Sequence, residues 1–250
     1  MKITILGCGP SWGMPSLING FGPANPKVAK NIRTRSSILI EDKGLRLLID
    51  TDPEIREQLL KIGTPKIHAI CYTHAHYDHM GGAEEIGMLA RERQEIFHIY
   101  GRQKDIISFK HRMPYIFQTE DKHLIKTHYI RPYQKFQIEH LEILPIPQHH
   151  ASCGSIGFRI GDLAYCTDVK AIDPKGWQCL RGIKTWILGC VTTTENPRWV
   201  HLAEALKWIK KIHPECTYLT HLGPTMDYPE LKRNLPKNII PCYDGMVIKL

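Results

Sequence analysis

The chain has 250 residues, 42% of them hydrophobic and 23% charged, and a formal net charge of +8, the composition of a globular protein long enough to bury a full core. No apolar run approaches the about 18 residues of a membrane helix, and Met1-Lys2-Ile3-Thr4-Ile5-Leu6-Gly7 is too short for a signal-peptide core, so a cytoplasmic protein without a membrane partner is expected. Eight scattered cysteines with no Cys-x-x-Cys pair argue against a disulfide framework and against a thiolate metal site.

Residues 2–6 alternate as a strand. The following Gly7-Cys8-Gly9-Pro10-Ser11-Trp12-Gly13 is one residue off the dinucleotide-binding fingerprint, and Pro10 and Pro15 fall where its helix should begin, which rules that reading out. Residues 16–32 read as loop. Strands at 36–41 and 45–50 are joined by Asp42-Lys43-Gly44, a hairpin signal. Asp52-Pro53 predicts a helix to Lys61, with the acid as cap and the proline in the first turn. Strand 67–72, helix 83–93, strand 96–100 and helix 102–112 follow. Strands are predicted at 124–130, 136–138 and 141–146, then a hairpin 155–160/162–166 turned by Gly161-Asp162. A helix at 173–180 and a buried strand at 184–189 come next. Leu202, Ala205, Leu206 and Ile209 set a helix over 201–211, followed by strand 216–220, helix 228–234 and strand 246–250. No linker divides the chain, so a single domain over 1–250 is expected.

The charge is uneven. Between residues 101 and 135, Arg102, Lys104, Lys110, Arg112, Lys122, Lys126, Arg131 and Lys135 face only Asp105, Glu120 and Asp121. A basic lobe of this kind steers anions, nucleic acid included; a solvated basic face gives the same pattern.

The chemistry gathers in Thr73-His74-Ala75-His76-Tyr77-Asp78-His79-Met80-Gly81-Gly82. His74 and His76 are two apart, so along an extended segment both imidazoles point one way. Asp78 and His79 come from the turn that follows and can face a second ion. Neutral imidazole and carboxylate suit Zn²⁺, Mn²⁺, Ni²⁺ or Fe²⁺. Four donors are too few for two ions, and further candidates sit at strand ends or in loops: His149 or His150, Asp168, and His221.

The run 74–79, with the later donors in order behind it, resembles the His-x-His-x-Asp-His signature of the metallo-β-lactamase superfamily. The resemblance spans nearly the whole chain. It implies an α/β (α+β) fold, a four-layer αββα sandwich of two mixed β-sheets flanked by helices, with a two-metal site between the sheet edges. It assigns His74, His76 and His150 to one ion, Asp78, His79 and His221 to the other, and Asp168 to both. The family places a small residue and then a Ser-x-Gly strand start after its ligand, which favours His150 over His149 (Ala151, Ser155, Gly157). Histidine at 76, where the di-iron oxidoreductase branch carries Glu, argues for hydrolysis, and Asp168 argues against the true β-lactamases. Within the superfamily the chain is most similar to the branch containing phosphoribosyl 1,2-cyclic phosphate phosphodiesterase. The supporting stretches are residues 6–15, Arg33-Thr34-Arg35-Ser36-Ser37, His201-Leu202-Ala203-Glu204-Ala205-Leu206, Thr220-His221-Leu222-Gly223 and Tyr243-Asp244-Gly245-Met246. That enzyme's Cys-x-Cys-x-x-Cys loop has no counterpart in residues 16–26, so its structural zinc is not expected here.

The function implied is hydrolysis of a small or cyclic phosphodiester. Two divalent ions, Zn²⁺ or Mn²⁺ first and Ni²⁺ or Fe²⁺ also suited, bring a bridging water toward hydroxide at neutral pH, with Asp78 and Asp168 orienting it. His201 is the candidate acid for the leaving alkoxide or a phosphate contact; a helix-capping or surface histidine is the plainer alternative. Arg33 and Arg35 either clamp a phosphate or protect an edge strand. Asp50 is expected to accept a hydrogen bond from a metal-binding histidine. The rival readings are a tRNA 3′-processing-type endoribonuclease, a thioester or lactone hydrolase on the same centre, and a metal-stabilised interaction protein. A homodimer is the expected assembly.

Overall fold

Runs rich in isoleucine and leucine become strands wherever turn residues bound them. Lys43 and Gly44 take φ of +46° and +88°, the left-handed pair of a two-residue hairpin turn, and this closes Ser37–Asp42 onto Leu45–Ile49. The computed structural model describes residues 1–118 and 123–250, which fall into two units. Glu120, Asp121 and Lys122 of the basic stretch lie outside the described residues.

The first unit comprises Met1–Gly7, Arg35–Arg131 and Gly245–Leu250 and holds a seven-stranded mixed sheet. Val247–Lys249, Lys2–Gly7, Ser37–Asp42 and Leu45–Ile49 pair antiparallel. From Leu45–Ile49 the sheet continues in parallel through Ala69–Cys71, Phe97–Gly101 and Ile125–Tyr129. Leu39, Leu48, Ile70 and Ile99 stand in register across it. They form one core with Ile55 and Leu59 of helix Ile55–Lys61, Ile86 and Ala90 of Ala83–Arg93, and Ile106 and Phe109 of Gln103–Arg112. Each buried isoleucine, leucine or phenylalanine side chain among them contributes about 1.5–3 kcal/mol relative to exposure.

The second unit comprises Cys8–Thr34 and Pro132–Asp244, again with a seven-stranded mixed sheet. Ile239–Pro241, Cys216–Thr220, Thr185–Gly189 and Leu163–Cys166 run parallel. Ser155–Ile160, Leu141–Gln148 and Phe136–Ile138 continue it antiparallel. Trp186, Leu188 and Leu219 pack with Ala205 and Ile209 of helix Leu202–Ile212 and Leu231 of Tyr228–Asn234. The two mixed sheets with their helices are those the resemblance implied.

Strand direction positions the chemistry. Parallel neighbours end at one edge, where α/β proteins place their ligands. Asp50 and Thr73 follow the parallel strands Leu45–Ile49 and Ala69–Cys71. In the other sheet Asp168 and His221 follow Leu163–Cys166 and Cys216–Thr220. Leu141–Gln148, two antiparallel steps from Leu163–Cys166, points the same way and delivers His150.

Several elements depart from the sequence reading. The first long helix starts at Ile55, after Pro53, because the Asp52 carboxylate accepts from Glu54 N (2.9 Å) and makes a separate turn. Asp78 and His79 lie in a short helix, Tyr77–Met80, where a turn was expected. Pro114–Gln118 is helical, and Ile239–Pro241 forms an edge strand, a position where proline is tolerated because no ladder donor is needed. All eight cysteines are free thiols. Among the described residues no helix is long and apolar enough to cross a membrane.

Candidate metal centre

The first unit brings together the donors of residues 74–79. Asp50, fully buried and at φ +65°, accepts from Thr73 N (2.8 Å) and Thr73 Oγ1 (2.8 Å), and lies 2.7 Å from His79 Nδ1. Burial raises its carboxyl above the ordinary range, with His79 and Thr73 pulling the other way. Because Thr73 Oγ1 donates to Asp50, it accepts from His74 Nδ1, 3.1 Å away. Both rings therefore carry their proton on Nδ1 and present Nε2 as a lone pair, as a carboxylate-oriented metal histidine does.

These lone pairs converge on other donors. His74 Nε2 meets His76 Nδ1 at 2.8 Å, and His79 Nε2 meets Asp78 Oδ2 at 3.3 Å. Two ring nitrogens facing at that distance require a proton or a cation between them, so the donor set fits divalent ions. The short helix is tied down by Thr51 N→His79 O (2.8 Å) and Gly82 N→Thr51 O (2.9 Å). A Cβ on Gly82 would lie 2.1 Å from Asp52 O, so only glycine allows that approach. Asp50→Asn, which cannot serve as the same anionic acceptor, is expected to weaken metal binding about 10–100-fold, measured by isothermal titration of the apo protein.

The second unit supplies a carboxylate between two imidazoles. Asp168 Oδ1 lies 3.5 Å from His150 Nε2, and Asp168 Oδ2 lies 2.9 Å from His221 Nε2. Asp168 and His221 hold φ of +47° and +59°, a region that costs a side chain of this kind about 1–3 kcal/mol and clusters at functional sites. Ser155 Oγ donates to Asp168 O (2.9 Å) and fixes the turn. His149 is exposed and paired through its backbone with Ala171, while His150 is turned inward and only 4% exposed.

His201 caps helix Leu202–Ile212 through its backbone position, with no side-chain cap bond. It is held beside the Asp168 loop: Val200 N donates to Val169 O (3.1 Å) and Leu202 N to Thr192 O (2.9 Å). Its Nδ1 lies 3.4 Å from Glu204 Oε2, which also takes Lys170 Nζ at 2.9 Å. Glu204 and Thr73 were not singled out from sequence. The signals were there: Glu204 stands one helical turn after His201, and Thr73 opens the histidine run.

The structure sets the two arginines apart. Arg33, expected either to clamp a phosphate or to protect an edge strand, is corrected in both respects: it is 1% exposed. Its guanidinium donates to the carbonyls of Lys30 (3.2 Å), Leu222 (3.2 Å) and Met226 (2.7 Å) and to Asn31 Oδ1 (3.0 Å). It is a buried strut of the second unit. Burial lowers its pKa, with Cys8 and Asp244 drawing it back up. Arg35, in the first unit, is ion-paired with Glu54. Arg33→Ala, which strands those carbonyls, is expected to cost about 3 kcal/mol or more in urea denaturation and to leave KM unchanged. Within the basic stretch, Arg102 pairs with Asp105 (2.5 Å), Lys135 with Glu142 (2.6 Å), and Arg112 donates to Ala75 O (2.5 Å) inside the histidine run.

Comparison with known proteins bears on the family and the fold. The family described as Beta-lactamase superfamily domain matches residues 45–222. A Porphyromonas gingivalis (strain ATCC BAA-308 / W83) protein named octanoyltransferase is 30% identical over 254 residues, covering 98% of this chain and 51% of that protein. The chain thus spans about half the length of the curated relative it matches. The crystal structure of a diphosphatase from the PhnP family is 28% identical with a TM-score of 0.92, over 99% of this chain and 96% of that one. Human tRNase Z, short form, is 17% identical with a TM-score of 0.73, over 100% and 99%, a likeness of fold alone.

Proposed function

We propose that this chain, which belongs to the β-lactamase superfamily, is a dinuclear metal-dependent phosphodiesterase that cleaves a small or cyclic phosphodiester. The observation that carries the reading is Asp168, whose two oxygens face two different imidazoles, His150 and His221. His74, His76 and His150 would hold one divalent ion and Asp78, His79 and His221 the other, with Asp168 shared. Zn²⁺ and Mn²⁺ suit this mixed nitrogen and oxygen set best, and Ni²⁺ and Fe²⁺ are compatible with it. When bound, such a pair supplies Lewis acidity to a water molecule and to the phosphoryl oxygens.

The chain's own residues do the rest. Asp50 and Thr73 hold His79 and His74 with Nε2 free of protons. Asp78 and Asp168 orient the attacking water. His201 delivers the proton that the leaving alkoxide needs, or binds the phosphate, from a position set by the Val200 and Leu202 backbone bonds. The PhnP-family diphosphatase supports phosphoryl chemistry. The second reading is a thioester or lactone hydrolase on the same centre; the Porphyromonas relative, named for octanoyl transfer, is matched over only 51% of its length.

The test is metal analysis of the purified chain followed by a screen of cyclic phosphodiesters, linear phosphodiesters, diphosphate diesters and an acyl thioester. Two ions per chain and turnover of a phosphorus ester are expected; turnover of the thioester alone would replace this reading with the second. An RNA-processing enzyme, for which the basic stretch 101–135 would be the grip, would lose affinity steeply with salt, whereas a small diester would not. The two units are proposed to act as one domain in a cytoplasmic homodimer. Eight free thiols fit a reducing compartment, and light scattering checks the assembly.

A further inference from the structure

Trp12 and Trp199 belong to neither the metal set nor the core. Their rings meet edge to face, with centroids 6.1 Å apart and planes at 75°, and Trp12 remains 39% exposed. Trp12 is among the large hydrophobic side chains that the fold leaves accessible, so its ring is available for contact. Both are carried by segments anchored beside the donors of the second unit. Trp199 directly precedes Val200, whose N–H binds Val169 O next to Asp168, and it stands two residues before His201. Trp12 lies in the loop that leaves Cys8, whose carbonyl accepts from Leu222 N (2.7 Å), the residue after His221. That loop is pinned at both ends, by Cys8 N→Asp244 Oδ1 (3.1 Å) and by Met14 N→Arg33 O (2.8 Å), so Trp12 is preorganised.

Hydroxyls lie along the same rim. Thr192, bridged to His201 through the backbone, has its Oγ1 3.1 Å from Thr194 Oγ1 and 3.1 Å from Thr225 Oγ1. A flat apolar ring beside clustered hydroxyls and the His201 imidazole matches a molecule with an aromatic ring, a polyhydroxyl linker and a phosphate.

We infer that Trp12, backed by Trp199, is a stacking platform that selects diesters carrying a flat aromatic ring, a purine nucleoside being the fitting class. This rests on the phosphodiesterase reading and narrows its substrate. Trp12 acts on specificity and not on the chemical step, since the ring it holds is remote from the bond cleaved.

The experiment compares wild type, Trp12→Phe and Trp12→Ala on matched diesters, one bearing adenine and one with the base replaced by a methoxy group, and separately follows AMP binding by tryptophan fluorescence. Trp12→Ala is expected to lower kcat/KM for the adenine diester about 10–100-fold, the usual weight of one base stacked on an aromatic side chain. The loss should appear in KM, with the base-free diester unchanged and Trp12→Phe close to wild type. AMP quenching should weaken in parallel in Trp12→Ala. Equal effects on both diesters, or AMP binding indifferent to Trp12, would overturn the platform. If AMP binding depends on Trp12 while no phosphorus ester is turned over, the platform stands and the phosphodiesterase reading fails.

Discussion

Replacing Asp168 by alanine is expected to reduce bound metal from two ions per chain to at most one and to lower turnover by more than the roughly 10–100-fold typical of residues that merely support a ligand. The reason is geometric. Each carboxylate oxygen faces a different imidazole, at 3.5 Å from His150 Nε2 and 2.9 Å from His221 Nε2, so one substitution would remove a donor from both of the proposed ions. The same residue sits at φ +47°, where a side chain costs about 1–3 kcal/mol and glycine costs little. Asp168→Gly should therefore leave the apo protein as stable as wild type, or slightly more stable, while metal content falls. Inductively coupled plasma analysis and apo melting curves give the two readouts. Two ions retained in Asp168→Ala would refute the shared role.

His201→Ala carries the second large effect. Loss of a general acid should lower kcat about 10²–10⁴-fold with metal content at the wild-type level, because His201 is not one of the proposed donors. The loss should be large for an alkyl leaving group and much smaller for p-nitrophenolate, which departs without a proton. A phosphate contact would instead raise KM for both substrates alike. Glu204, 3.4 Å from His201 Nδ1 and paired with Lys170, is a positioning residue. Glu204→Gln should give a smaller fall in kcat with the same leaving-group dependence. A helix-capping role would show as lowered stability with unchanged turnover of both leaving groups.

Much of this site was legible early because metal chemistry restricts residue type and spacing together. His74, His76, Asp78 and His79 stand within six residues, and their convergence needs only a short extended segment and one helical turn. Asp50 was expected as an acceptor from a metal histidine, and its contacts with Thr73 and His79 match that expectation. The strands were equally readable, since most are short apolar runs buried along nearly their whole length and bounded by turn residues. Strand Ile239–Pro241 was not, because its proline is permitted only by an edge position in the assembled sheet.

Arg33 shows where local reading fails. An Arg-x-Arg spacing ahead of a strand is the same whether the guanidinium meets solvent or carbonyls. Here the carbonyls of Leu222 and Met226, some 190 positions away in sequence, close around it. The choice between His149 and His150 has the same character, since backbone pairing of His149 with Ala171 turns one ring outward and leaves its neighbour buried. The nearness of Trp12 to Trp199 is likewise invisible in a string. What the amino-acid order carried was the set of candidate donors, because coordination chemistry accepts few side chains and short spacings reveal them. Which side chains turn inward, which charge is spent on structure and which aromatic ring stays partly exposed were settled by long-range packing, because burial and hydrogen-bond satisfaction depend on neighbours that the chain brings together only on folding.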